Sequence, residues 1–149
     1  MKRTVFVVAC VAASVAYAVM PAGAIVGGQL DGNLHPHVGT LVGDLPPFAF
    51  GIPFCTGTLI SPTVVLTAAH CDLSPNGGTL LGVSFAPQYT AGDPVLTGTF
   101  HANPDFDQAQ GHPADIGVVV LDTAVTGVTP ASLPALGSLE GSLTQSSVF

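Results

Sequence analysis

Six short runs of β-branched and apolar residues, set between clusters of glycine and proline, restrict what this chain can fold into more than any other feature. They fall at residues 38–42, 56–60, 63–67, 79–85, 95–101 and 116–121. Val, Ile, Thr and Phe suit a half-buried pleated surface, and runs of this length bounded by turn residues read as strands. The separators at 43–53, 74–78, 86–94 and 103–113 carry the Gly and Pro expected of all-β connections. No long 3.6-residue period interrupts them; a single helical turn is expected at 68–71, where Ala68-Ala69 follows the third run. Six short strands close one small barrel, an arrangement that also removes exposed sheet edges. The expectation is therefore all-β, a single antiparallel six-stranded barrel over residues 25–122. Residues 123–149 shift to Thr, Ser, Gly, Pro and Leu and read as a connector.

Lys2 and Arg3 precede a run from residue 5 to residue 20 that is apolar except for Ser14, and Ala22-Gly23-Ala24 follows with small residues. This pattern is a secretory signal peptide over residues 1–24, and the run is shorter than the roughly 20 residues of a membrane-spanning helix. Ala16-Tyr17-Ala18 offers a second cleavage site, so cutting after Ala24 and cutting after Ala18 both stand. The expected product is secreted and free of the membrane. Cys10 leaves with the signal, and Cys55 and Cys71 remain as a pair in an oxidising compartment, expected as a disulfide rather than two buried thiols. Closing such a loop is worth about 3 kcal/mol in the loop-entropy model.

The chain has two basic residues against nine acidic ones, and both basic residues lie in the signal. With no Lys or Arg to meet phosphates, and only a protonated histidine as a cation, nucleic-acid binding through phosphate contacts is disfavoured and no nucleic-acid partner is expected. A protease that requires a basic residue could neither activate nor degrade the remainder.

Thr67-Ala68-Ala69-His70-Cys71 closes the apolar stretch 59–66. An imidazole there is held rigidly by the cysteine that follows it and stays partly wet, as a general base needs. Asp115 opens the apolar run Ile116-Gly117-Val118-Val119-Val120-Leu121, at the mouth of a core where a merely solvated charge is out of place. A carboxylate so placed can fix the tautomer of a histidine and stabilise its imidazolium. Taken alone, His70 would read as a buried structural histidine.

These two segments, with Ile25-Val26-Gly27-Gly28 ahead of them, resemble in order the signature segments of the trypsin/chymotrypsin-like serine proteases. The resemblance implies that His70 is the general base and Asp115 its orienting aspartate. It also implies that Ile25 is the mature N-terminus, whose amine pairs with a buried aspartate of a second barrel. The barrel here would be the first of two, with the active site between them.

By the same resemblance the nucleophilic serine follows Asp115. Ser132, Ser138, Ser142, Ser146 and Ser147 do so, but none stands in a Gly-Asp-Ser-Gly-Gly-type loop that would supply oxyanion-hole N–H groups. Gly141-Ser142-Leu143 is nearest, without the preceding acid or the following glycine. All five read as polar linker residues. The expectation is an N-terminal portion of a secreted serine endopeptidase acting on peptide or protein substrates, inactive by itself. Its connector at 123–149 would stop as the second barrel begins. The other reading is a non-catalytic homologue serving as a secreted binding module. Retention of both His70 and Asp115 favours the first. A self-sufficient hydrolase with another nucleophile ranks third.

His35-Pro36-His37 sets two imidazoles close together, yet proline constrains them and no cysteine or carboxylate cluster completes a tetrahedral set. His101 and His112 read as loop or strand-end residues, and Asp105 with Asp107 offers too few oxygens for Ca²⁺. No metal and no cofactor is expected.

Overall fold

The computed structural model describes residues 31–110 and 114–138. The proposed signal with Cys10, Ile25, His112, Ser142, Ser146 and Ser147 lie outside the described residues.

Six strands form one sheet: β1 (Val38–Leu45), β2 (Ala49–Ser61), β3 (Val64–Thr67), β4 (Thr79–Ser84), β5 (Gly98–Ala102) and β6 (Gly117–Leu121). Their order is β4-β1-β2-β3-β6-β5, and every neighbouring pair is antiparallel. The two outer strands meet where Val83 of β4 and Leu96, just ahead of β5, exchange both backbone hydrogen bonds at 2.9 Å. That bridge all but closes the sheet into the six-stranded barrel expected from the sequence. Three 3₁₀ turns, at Ala69–Cys71, Ser74–Asn76 and Gln108–Gln110, are the helical structure of the described residues. None is long and apolar enough to cross a membrane.

The interior follows from the two-residue period of strands. In β6, Gly117, Val119 and Leu121 point inward while Val120 faces out. Val119 and Leu121 meet Leu41 of β1, Leu59 of β2, Val65 of β3 and Val83 of β4, these four fully buried, and Cys71 completes the cluster. Phe54, Phe85 and Phe100 pack around its rim, and Val125 and Val128 cover it from the segment after β6. That segment has no regular structure through residue 138. It is laid along the barrel by hydrogen bonds from Val125 N–H to the Pro62 carbonyl and from Ala131 N–H to that of Leu59, both 2.8 Å.

Two stretches differ from expectation. Residues 43–53 are largely strand rather than separator: Gly43 pairs with Ile52 and Leu45 with Ala49, extending β1 and β2 into a hairpin arm. Register shifts between Leu41 and Val42 and between Gly43 and Leu45 absorb the glycines and prolines; Pro53, with no N–H to give, pairs with Val42 at the first of them. The Asp44 carboxylate accepts the Gly51 N–H at 2.7 Å, and the Leu45 carbonyl accepts that of Phe48 at 2.9 Å to close the turn. Conversely, residues 95–97 are not a strand. The chain leaves its bridge to β4 at Leu96 and joins β6 at Gly98, where it pairs with Leu121. A Cβ at Gly98 would come 2.5 Å from the Val120 carbonyl oxygen, so the change of partner needs glycine there.

Candidate active site

β3 and β6 pair in register from Val64 with Val120 to Thr67 with Gly117. Residues just past the end of β3 are thus carried beside residues just before the start of β6. Past Thr67 the chain curls into the 3₁₀ turn Ala69–Cys71, closed by hydrogen bonds from Cys71 N–H to the Ala68 carbonyl and from Asp72 N–H to that of Ala69. Ala69 and Cys71 are buried, which turns the residue between them outward. Cys71 is also disulfide-bonded to Cys55 of β2, so the turn is covalently tied to the neighbouring strand. His70 is left with its backbone immobilised and its side chain 49 % exposed.

Asp115 reaches it from the other side. Ile116 N–H donates to the Ala114 carbonyl at 2.7 Å, a three-residue turn centred on Asp115, and Ala114 takes a left-handed φ of 55°. Such a φ on alanine costs on the order of 1 kcal/mol and persists only where surroundings enforce it. The result is that one carboxylate oxygen of Asp115 accepts the main-chain N–H of His70 at 2.9 Å while the other lies 2.7 Å from His70 Nδ1. Gly117 keeps the approach close, since a Cβ there would sit 3.0 Å from the Phe100 ring and 3.2 Å from the Ala68 carbonyl oxygen.

The hydrogen bond from the His70 ring, then that from its main chain, holds the Asp115 carboxyl below the ordinary carboxylate range. An ionised carboxylate can only accept, so Nδ1 carries the proton in that bond. In the neutral ring that is the tautomer a general base uses.

Other candidate residues are placed elsewhere. Ser132 and Ser138 lie exposed in the irregular segment after β6. His101 is at the exposed end of β5. Asp105 and Asp107 occupy the loop that follows: the Asp107 carboxylate accepts the Ala109 main-chain N–H at 2.8 Å, and the Asp105 main-chain N–H donates to the Asn103 side-chain oxygen at 3.0 Å. His35 and His37 have ring centroids 6.2 Å apart.

The sequence reading missed a second histidine–carboxylate clamp. Asp31 Oδ1 lies 2.6 Å from His35 Nδ1 and its Oδ2 accepts the His35 main-chain N–H at 3.2 Å, the same two-handed grip that Asp115 has on His70. The i, i+4 spacing of Asp31 and His35 was the available signal. Here too the His35 ring lowers the carboxyl below its ordinary range. The donor set Cys55, His70 and Cys71 also converges, but its two sulfurs are bonded to each other.

The family model described as Trypsin matches residues 36–147, most of the chain, including His70, Cys71 and Asp115. This chain belongs to the trypsin family, whose members are serine endopeptidases acting on peptides and proteins.

Proposed function

We propose that this chain supplies the histidine–aspartate half of a secreted serine endopeptidase. His70 is its general base and Asp115 its orienting group. The nucleophilic serine lies in a second barrel encoded beyond Phe149. The observation that carries the reading is the two-handed grip of Asp115 on His70, which fixes both the position and the tautomer of an exposed imidazole. In the reaction, His70 Nε2 takes the serine proton as the hydroxyl attacks the scissile carbonyl and returns it to the leaving amine, while Asp115 stabilises the imidazolium between the two steps. The Cys55–Cys71 bond fits export, and residues 1–24 are assigned as the signal, residues 25–122 as the first barrel with Ile25 at the mature N-terminus, and residues 123–149 as the start of the crossing to the second.

The test uses a fluorophosphonate probe, which labels a serine only when a base activates it. The chain ending at Phe149 should remain unlabelled. The same chain continued through its downstream coding sequence should label at one serine, in a glycine-rich loop. Labelling of Ser132, Ser138, Ser142, Ser146 or Ser147 would overturn the assignment. An authentic stop after Phe149 with no remnant of a second barrel in any frame would replace it with the secreted binding-module reading.

A further inference from the structure

Three strong metal donors meet at one point of the barrel. The Sγ atoms of Cys55 and Cys71 and a ring nitrogen of His70 all lie within 4.8 Å of one another. While the disulfide stands, neither sulfur is a thiolate and the set binds no cation. We propose that reduction of Cys55–Cys71 turns this point into a Cys₂His site for a zinc-class divalent cation, and that the bound cation takes His70 out of use as a base.

The chemistry balances with an external two-electron reductant, a dithiol or a phosphine. Its electron pair breaks the S–S bond, and two protons, from the dithiol itself or from one water, complete the thiols; the dithiol departs as its own disulfide, the phosphine as its oxide with the oxygen of that water. The cation then displaces both thiol protons, forming two metal–thiolate bonds and one metal–imidazole bond.

Four features support the site. Two thiolates and an imidazole match the preference of Zn²⁺, and three protein ligands leave its fourth position open. The proposal takes Nε2 as the ligand, which leaves Nδ1 with Asp115 at 2.7 Å; metal-bound histidines typically give their other ring N–H to a carboxylate in this way. The donors are held by more than their mutual bond: Cys55 is paired with Leu41 inside the sheet, Cys71 is anchored in the core, and the His70 main chain is held by Asp115. The sulfurs need part only to about 3.8 Å, the edge of a tetrahedron with metal–sulfur bonds of about 2.3 Å, which side-chain rotation provides.

The site stands on these side chains alone; only its effect on hydrolysis rests on the reading of His70 as base. The test therefore reads metal rather than peptidase activity. The full chain carrying Cys10→Ser, so that only the paired cysteines remain, is reduced with a phosphine and titrated with Co²⁺. Expected is one Co²⁺ per chain with the charge-transfer absorption of two thiolates, displaced by Zn²⁺, and no uptake by the oxidised chain. His70→Ala should weaken binding at least tenfold, and Asp115→Asn about tenfold, the scale of losing an outer-shell partner. Thermal unfolding of the reduced chain, followed in parallel, should move to higher temperature as Zn²⁺ rises, since a ligand of the folded state stabilises it by mass action. The proposal is overturned if the reduced chain takes up no Co²⁺, if His70→Ala binds as tightly as the parent, which would mean simple dithiol chelation, or if the reduced chain unfolds and Zn²⁺ does not restore it.

Discussion

Asp115 holds two nitrogens of His70 at once, the main-chain N–H at 2.9 Å and the ring Nδ1 at 2.7 Å, across 45 residues of sequence. The orientation and tautomer of the imidazole are therefore tied to one carboxylate. In Asp115→Asn an amide NH₂ replaces one acceptor, and the oxygen that remains can serve only one of the two nitrogens. If it keeps the main-chain N–H, the NH₂ faces Nδ1 and the ring must turn to its other tautomer. The expected outcome, read from ring ¹⁵N shifts of His70 at neutral pH, is a proton on Nδ1 in the parent and on Nε2 in the variant.

The same pair predicts an acid-side loss of stability. The Asp115 carboxyl is held below its ordinary value in the folded chain by His70, so the unfolded chain binds the proton more readily. Stability from the pair is then complete above the ordinary aspartate value of about 3.9 and is lost as pH falls through the lower folded value. A carboxyl ¹³C titration should place the Asp115 midpoint below that of an ordinary aspartate, and His70→Ala should return it toward the ordinary value.

The covalent tie between β2 and the His70 turn should be costly to remove. Cys55→Ser with Cys71→Ser opens a loop that, closed, restricts the unfolded chain, and the expected destabilisation is about 3 kcal/mol. Urea unfolding of parent and double variant measures it as a lower midpoint.

Gly57 faces Gly39 across β1 and β2, where the sheet curls tightly enough to leave no room for a side chain. A Cβ at Gly57 would sit 2.5 Å from Val65 Cγ1 and 2.9 Å from the Leu66 carbonyl oxygen. Gly57→Ala is expected to cost about 1–3 kcal/mol through overpacking, read from the same unfolding curves. Gly77→Ala supplies the contrast: its Cβ would meet nothing within 4 Å, and any loss there comes from its positive φ alone.

Much of this was legible in the chain itself. The apolar run at 116–121 marks a strand, and β6 forms over Gly117–Leu121; which of its residues face inward cannot be read from a run that is apolar throughout. The pairing of Cys55 with Cys71 needed only the removal of Cys10 from the count. What could not be read were features set by partners distant in sequence. Glycines and prolines at 43–53 signal breaks in any local reading, yet a neighbouring strand with shifted register holds them in a hairpin arm. Thr97 and Gly98 look like the middle of a strand, because the bend that hands the chain from β4 to β6 is imposed by the closing barrel. The left-handed Ala114 and the main-chain half of the Asp115 grip likewise exist only once β3 and β6 are in register.

The most direct measurement of the central claim is steady-state hydrolysis of a peptide substrate by the chain continued through its downstream coding sequence. Parent and Asp115→Asn proteins are compared at neutral pH. The account predicts peptidase activity in the parent and a fall in kcat of about 10⁴-fold in the variant, the scale of leaving the histidine in the wrong tautomer, with KM little changed. A variant that keeps parental kcat, or a parent with no activity despite an intact glycine-flanked serine, would contradict it.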